Sequence, residues 1–363
     1  MRASVALVAL IFFSLPSGCG DNHLRPDPNP HEDANLRSDA ALDAPLDAAP
    51  DAGPPMPATL LDTGLCLDAA CMQISPDVHE YAPRFPLWAD TATKRRWMSL
   101  PPGTKIDTSD PDHWVFPVGT RFWKEFTRDG VRVETRYITK VLADENAPGA
   151  WFYTAFAWNQ TQDATTPVIN RASNVNGTMH DIPSRFDCRG CHENLSPGRI
   201  LGFQAIQLDA TDPNGLLDLD RIDAMGWLTV SPPAKVNGAH YPFPAATQAQ
   251  LDALGYLHAN CGHCHNPSSL VYNSTPIVLR LDTTKLATLT GTPTYTTTTN
   301  VDGRQITENG MDYVKIVIPG DPAHSILNVR VNTTNPNDHM PALASEMTDP
   351  RATALVLGWI NSL

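Results

Sequence analysis

The chain has 363 residues, a formal net charge of -13 and seven cysteines. Its 33 prolines are about 9% of the chain, roughly twice the ordinary share, while charged residues reach only 18%. The acidic balance argues against a nucleic-acid partner, which requires a basic face. Too few long apolar stretches are present for a polytopic membrane protein, and the length allows two or three domains.

The chain opens with Arg2 and an unbroken apolar run from Val5 to Phe13. That run is too short to span a bilayer but suits a secretory leader, predicted over residues 1–18. Leu15-Pro16-Ser17-Gly18-Cys19 resembles a bacterial lipoprotein box, with Pro16 where the pattern usually carries Leu. The resemblance implies a lipidated Cys19 that ties the protein to a bilayer. Gly20 stands where an inner-membrane retention signal carries Asp, so the outer membrane is the expected one. Residues 19–58 read as an unfolded tether. Over 20–58 there are eight acidic and two basic residues, a net of -6, with Asp, Ala and Pro repeated without helical or strand period. Next come Cys66 and Cys71, close enough for a small loop disulfide in an oxidising compartment.

Residues 59–187 are expected to form a β-rich domain, sandwich- or barrel-like. Val131 to Thr139 alternates with period two, and Trp151 to Trp158 follows as a second strand. Asp129-Gly130 marks a hairpin turn. His79 and His113 stand alone and read as core or surface residues. No triad or phosphate-binding loop appears.

Cys188-Arg189-Gly190-Cys191-His192 and Cys261-Gly262-His263-Cys264-His265 are both C-x-x-C-H, the attachment spacing of c-type haem. Two thiols one helical turn apart can each bond a haem vinyl group, and the adjacent His then faces the iron. Two competing readings exist. The four thiolates could hold a structural zinc, or each pair could close a short disulfide. The first haem segment is placed at 188–245. Residues 198–208 read as strand or buried helix. Its sixth-ligand candidates are His180, eight residues before Cys188, then Met225, His240 and Met179, or an open site.

A last domain is predicted over 246–363, mainly α with a β insertion, giving an α+β protein overall. A helix over 251–260 runs into the second motif, and another closes the chain over 349–363. Between them, Ile277-Val278-Leu279-Arg280-Leu281 and Tyr313-Val314-Lys315-Ile316-Val317-Ile318 look like strands, with a Thr-rich turn at 290–299. His339-Met340-Pro341 lies before the closing helix. This arrangement resembles the C-terminal half of a class I cytochrome c domain. The resemblance implies His265 as proximal ligand and Met340 as distal ligand, a pairing that raises the iron's potential.

A longer resemblance runs over residues 80–363. Phe85-Pro86-Leu87-Trp88-Ala89-Asp90, Lys94-Arg95-Arg96-Trp97, Leu100-Pro101-Pro102-Gly103, Phe116-Pro117-Val118-Gly119-Thr120, Glu134-Thr135-Arg136, Trp158-Asn159 and Ile182-Pro183 occur in that order. The two C-x-x-C-H motifs and Gly358-Trp359-Ile360 follow. The set is similar to a family of uncharacterised, exported bacterial dihaem c-type cytochromes. It implies two covalently bound haem c groups. The expected role is periplasmic electron transfer between a donor and an acceptor redox protein. The competing roles are a dihaem peroxidase- or oxidase-like enzyme with an open first haem, and a haem-based sensor or accessory subunit.

Overall fold

In a computed structural model the described residues are 55–363, apart from 196, 197, 245, 309 and 344. The leader, Cys19 and most of the tether therefore lie outside the described residues. The alternating run appears as β4 (Val131–Lys140), paired antiparallel with β3 (Arg121–Arg128) and β5 (Trp151–Trp158). Asp129 and Gly130 turn the β3–β4 hairpin with φ of 52° and 80°, the double positive φ of a type I′ turn. With β1 (His79–Glu80), β2 (Thr93–Ser99) and β6 (Thr165–Val168), these strands make one six-stranded sheet in the order β1-β2-β3-β4-β5-β6. It is an open antiparallel meander, in place of the expected sandwich or closed barrel.

Both faces of this sheet are covered, though not by a second sheet. On one face Trp97, Trp123, Tyr137, Phe152, Phe156 and Trp158 pack under the segment carrying Leu60, Leu65 and Cys66. Trp123 Nε1 donates to Thr63 Oγ1 at 2.8 Å, and Leu60 N–H donates to Thr165 Oγ1 at 3.0 Å. Cys66 and Cys71 in this segment are disulfide-bonded, with Cα atoms 5.0 Å apart. On the other face Met98, Phe122 and Tyr153 share a core with Trp114, Phe116, Phe203 and residues between 205 and 228. Burial from both sides explains why seven of the eight residues of β5 are buried.

The chain then forms α1 (Arg185–Arg189), which continues as a π-helical turn over Gly190–Leu195, and the short helices α2 (Ala205–Leu208) and α3 (Leu219–Ala224). α4 (Gln248–Asn260) and α7 (Pro350–Asn361) match the two expected long helices. They pack through Ala253, Leu257, Val356, Trp359 and Ile360. Between them lie α5 (Pro293–Thr298), β7 (Asp302–Glu308), β8 (Met311–Lys315) and α6 (Ile326–Asn332). β7 and β8 form a separate two-stranded hairpin.

Two local expectations are corrected here. Ile277 to Leu281 is buried coil rather than strand. Its amides donate to the His265 carbonyl (2.9 Å, from Leu279), to His258 Nδ1 (3.0 Å, from Leu281) and to Thr297 Oγ1 (2.9 Å, from Val278), so no ladder partner is needed. The Thr-rich stretch contains a helix, α5, which starts from the Thr292 cap with Pro293 in its first turn. Mixed α and β content with an antiparallel six-stranded sheet is thus the architecture.

Candidate functional site

α1 carries the first motif. Ser184 caps it in a capping box: Asp187 N–H donates to Ser184 Oγ at 3.3 Å, and Ser184 N–H donates to Asp187 Oδ2 at 2.8 Å. Arg171 holds the same carboxylate at 2.8 and 2.5 Å. α1 therefore starts at a fixed place, and Cys188 packs against the sheet core. Beyond Cys191, Arg199 folds back: its guanidinium donates to the Glu193 carbonyl at 2.7 Å. Its own carbonyl lies 2.5 Å from His192 Nδ1. A carbonyl only accepts, so Nδ1 carries the proton and Nε2 keeps its lone pair. Metal-ligating imidazoles are commonly oriented in this way. Burial foremost, then the charges of Lys124, Arg136 and Arg199, push the His192 pKa down to about 4, so the ring is neutral.

The second motif follows α4 without a break, because Thr247 and Gln250 cap that helix and Cys261 N–H donates to Leu257 O at 2.9 Å. A Cβ at Gly262 would meet the His258 carbonyl at 2.6 Å and Arg280 Cα at 2.8 Å, so this position requires glycine. His265 is partly buried, and its Nδ1 is a buried nitrogen without a hydrogen-bond partner among the described residues. Burial, with Arg330 adding, lowers its pKa to about 4.

The two motifs share one neighbourhood. Burial first, then the charge of Cys191, raises the Cys264 thiol to about 11. His192 likewise bears on the titration of His263. Cys188, Cys191, Cys261 and Cys264 are all free thiols, so neither C-x-x-C pair is closed as a disulfide. Among the described residues no three His, Cys, Asp or Glu side chains converge on one point, as a protein-only zinc site requires. A porphyrin needs less from the protein: two thiols and one or two axial donors. The donors present fit that demand.

His180 is buried, and its Nε2 lies 2.8 Å from Glu134 Oε1. Glu134, wholly buried, also accepts from Arg136 Nη2 at 2.6 Å and Nε at 2.9 Å. Its charge reaches Cys188, so this network adjoins the first motif. With Nε2 committed to the carboxylate, Nδ1 is the atom His180 has for a metal. The other candidates are placed less favourably. Met179 and Met225 are exposed, and His240 is held by Asp220 at 3.0 Å and the Pro233 carbonyl at 2.6 Å.

Met340 is half-buried, and its N–H donates to the Arg330 carbonyl on α6 at 2.9 Å. Since the Arg330 charge also bears on His265, Met340 and His265 flank the same residue. His339 positions the loop: its Nδ1 bonds the Thr333 carbonyl at 2.7 Å and its Nε2 bonds Ser345 Oγ at 3.0 Å.

Arg96, Glu134 and Arg136 enter the sequence reading only as marks of the resemblance and Lys124 not at all; their place around the first motif was missed. The signal was their equal parity along three strands, which puts them on one face once the register is known. Comparisons with family models, curated proteins and solved structures give no match to this chain.

Proposed function

We propose that this chain is an exported, membrane-tethered dihaem c-type cytochrome that passes electrons between redox proteins at the periplasmic face of a bacterial membrane. The observation that carries this reading is the meeting of two C-x-x-C-H motifs, each with free thiols and a neutral histidine, in one part of the fold. When bound, the haem iron supplies the one-electron chemistry. The residues of the chain attach, orient and shield it. Cys188, Cys191, Cys261 and Cys264 would form the thioethers. His192 and His265 would be proximal ligands, with Met340 and His180 as the distal pair. Lipid on Cys19 and the acidic tether would hold the module off the outer membrane.

One observation favours a second reading, an oxidase- or peroxidase-like enzyme. The Glu134–His180 pair at 2.8 Å is also the geometry of an acid–base pair beside an open iron. Optical and EPR spectra of the purified holoprotein, with a haem stain on a denaturing gel, decide the matter. Two covalent low-spin haems support electron transfer. A high-spin iron that binds peroxide supports the enzyme, and no haem after denaturation removes both. Met340→Ala should abolish the Met-to-iron charge-transfer band, and a retained band excludes Met340 as a ligand.

A further inference from the structure

The segment before β2, Phe85 to Asp90, touches both halves of the second site. On one side it meets α4, the helix that leads into Cys261. The Phe85 ring stands where a Cβ on Gly255 would be, with its Cε1 2.1 Å from that position. Trp88 N–H donates to Asn260 Oδ1 at 2.6 Å, and Asn260 Nδ2 donates to the Pro86 carbonyl at 3.4 Å. Asn260 is the residue before Cys261. On the other side the segment meets the loop that follows Met340. Glu346 N–H donates to Asp90 Oδ2 at 2.8 Å, and Met347 N–H donates to Asp90 Oδ1 at 3.2 Å. Trp88 Nε1 donates to the same Oδ1 at 3.1 Å and to the Met347 carbonyl at 3.2 Å. Arg128 Nη2, on β3, lies 3.8 Å from the Met347 sulfur. Met347, the other methionine of the loop, is thus held at its amide, its carbonyl and its sulfur.

Among the described residues, 333–349 contain no helix or strand, so the loop has no regular structure of its own to fix Met340. The order comes from contacts, and Asp90 supplies the most. Its backbone sits at φ of 44°, a left-handed conformation that Asp adopts more readily than most residues. Its carboxylate takes all three N–H bonds from that position. Resting on the c-type reading above, we infer that Trp88 and Asp90 are positioning residues for the thioether of Met340. One short segment of the β-rich part fixes the helix end that presents Cys261 and the loop that presents Met340 relative to each other. A loop ordered in advance loses little further conformational freedom when its side chain takes up a ligand position. Met340 ligation therefore depends on the sheet and not on residues 246–363 alone.

The test uses the full-length holoprotein and the variants D90G, D90N and W88F, made with haem-attachment machinery. Glycine accepts the positive φ without strain, so D90G removes the carboxylate alone. W88F keeps a ring and removes the indole N–H. A haem stain and intact mass come first. A wild type without covalent haem fails the cytochrome reading, and this proposal with it. A wild type with two haems but no Met-to-iron charge-transfer band fails the proposal only. With the band present, the ferric protein is titrated with imidazole, which competes with the thioether for iron. The band of D90G should be lost at about tenfold lower imidazole than that of the wild type, the share of one hydrogen bond to a charged group. D90N and W88F each keep part of the bond set and should fall between. Spectra of the haem on Cys188 and Cys191 should not change. An unchanged imidazole midpoint in D90G overturns the proposal, and so does an equal change at both haems, which marks general loosening. Should D90G not fold, W88F gives the same readout, and an unchanged midpoint there overturns it too. A band retained in M340A would give the iron to Met347 and likewise overturn it.

Discussion

Replacing Glu134 tests whether the polar network on this sheet face is held together as the structure indicates. The carboxylate is wholly buried and takes three hydrogen bonds, at 2.6 and 2.9 Å from Arg136 and 2.8 Å from His180. Burial alone would raise its pKa, but the charge of Arg136 and the bonds from His180 and Arg136 hold it below the usual carboxylate value. Glu134→Ala removes all three bonds and leaves Arg136 beside Lys124 and Arg96 with no counter-charge. Breaking a buried pair from one side costs about 3–5 kcal/mol, roughly a fifth or more of the ~5–15 kcal/mol that holds a typical domain. Glu134→Gln keeps the shape but not the charge, and should cost about 2 kcal/mol. The double variant E134L/R136M, which removes both charges, should recover most of the loss. Urea unfolding of the purified protein at pH 7 measures all three, with any bound cofactor checked to be equal in each sample. A loss under about 1 kcal/mol for Glu134→Ala, the value of an exposed pair, would refute the reasoning.

Two further substitutions address the helices that present the motifs. Asp187 has its pKa lowered to about 2 by the Arg171 bond foremost, against partial burial and with the Ser184 bonds assisting. A depressed carboxylate stabilises above its unfolded pKa, and that stability is lost as pH falls from about 4 towards about 2. Because Arg171 is largely exposed, Asp187→Ala should cost only about 1 kcal/mol at pH 7 and flatten the acid limb below pH 4; an unchanged acid limb in urea titrations would count against the capping role. Gly262→Ala pushes a methyl into the His258 carbonyl and the Arg280 backbone. It should cost about 1–3 kcal/mol and, on the cytochrome reading proposed above, lower haem attachment at Cys261 and Cys264 in particular; normal stability would show that the contact is soft.

What the sequence reveals and what it hides follow from the same periodicities. Alternation along Val131–Thr139 locates a strand, and the Asp129-Gly130 turn fixes its hairpin, since both signals are local. The helices before Cys261 and after Asp349 are legible for the same reason. Ile277 to Leu281 misleads because a short apolar run shows burial without showing a partner, and the partners here are His265, His258 and Thr297. The Thr292-Pro293 start of α5 was a usable helix signal, outweighed by the density of threonines. A half-buried strand pattern likewise does not say what covers the other face, so a loop segment with a disulfide takes the place of the expected second sheet.

Arg96, Lys124 and Arg136 show the limit most clearly. Within its own strand each reads as an ordinary solvent-facing charge, because period two separates faces without naming which is wet. Only the register turns three separate cations into one row. The strand residues two positions along from that row, Met98 and Phe122, are buried in the core that continues through Phe203 to Leu228. The same face is therefore apolar where residues 200–228 cover it and Cys188 packs, and cationic beside Cys191. Cys188 against the apolar part and Arg136 and Lys124 beside Cys191 tie the sheet to the first motif: the strands are one wall around that motif and not merely its neighbour in sequence.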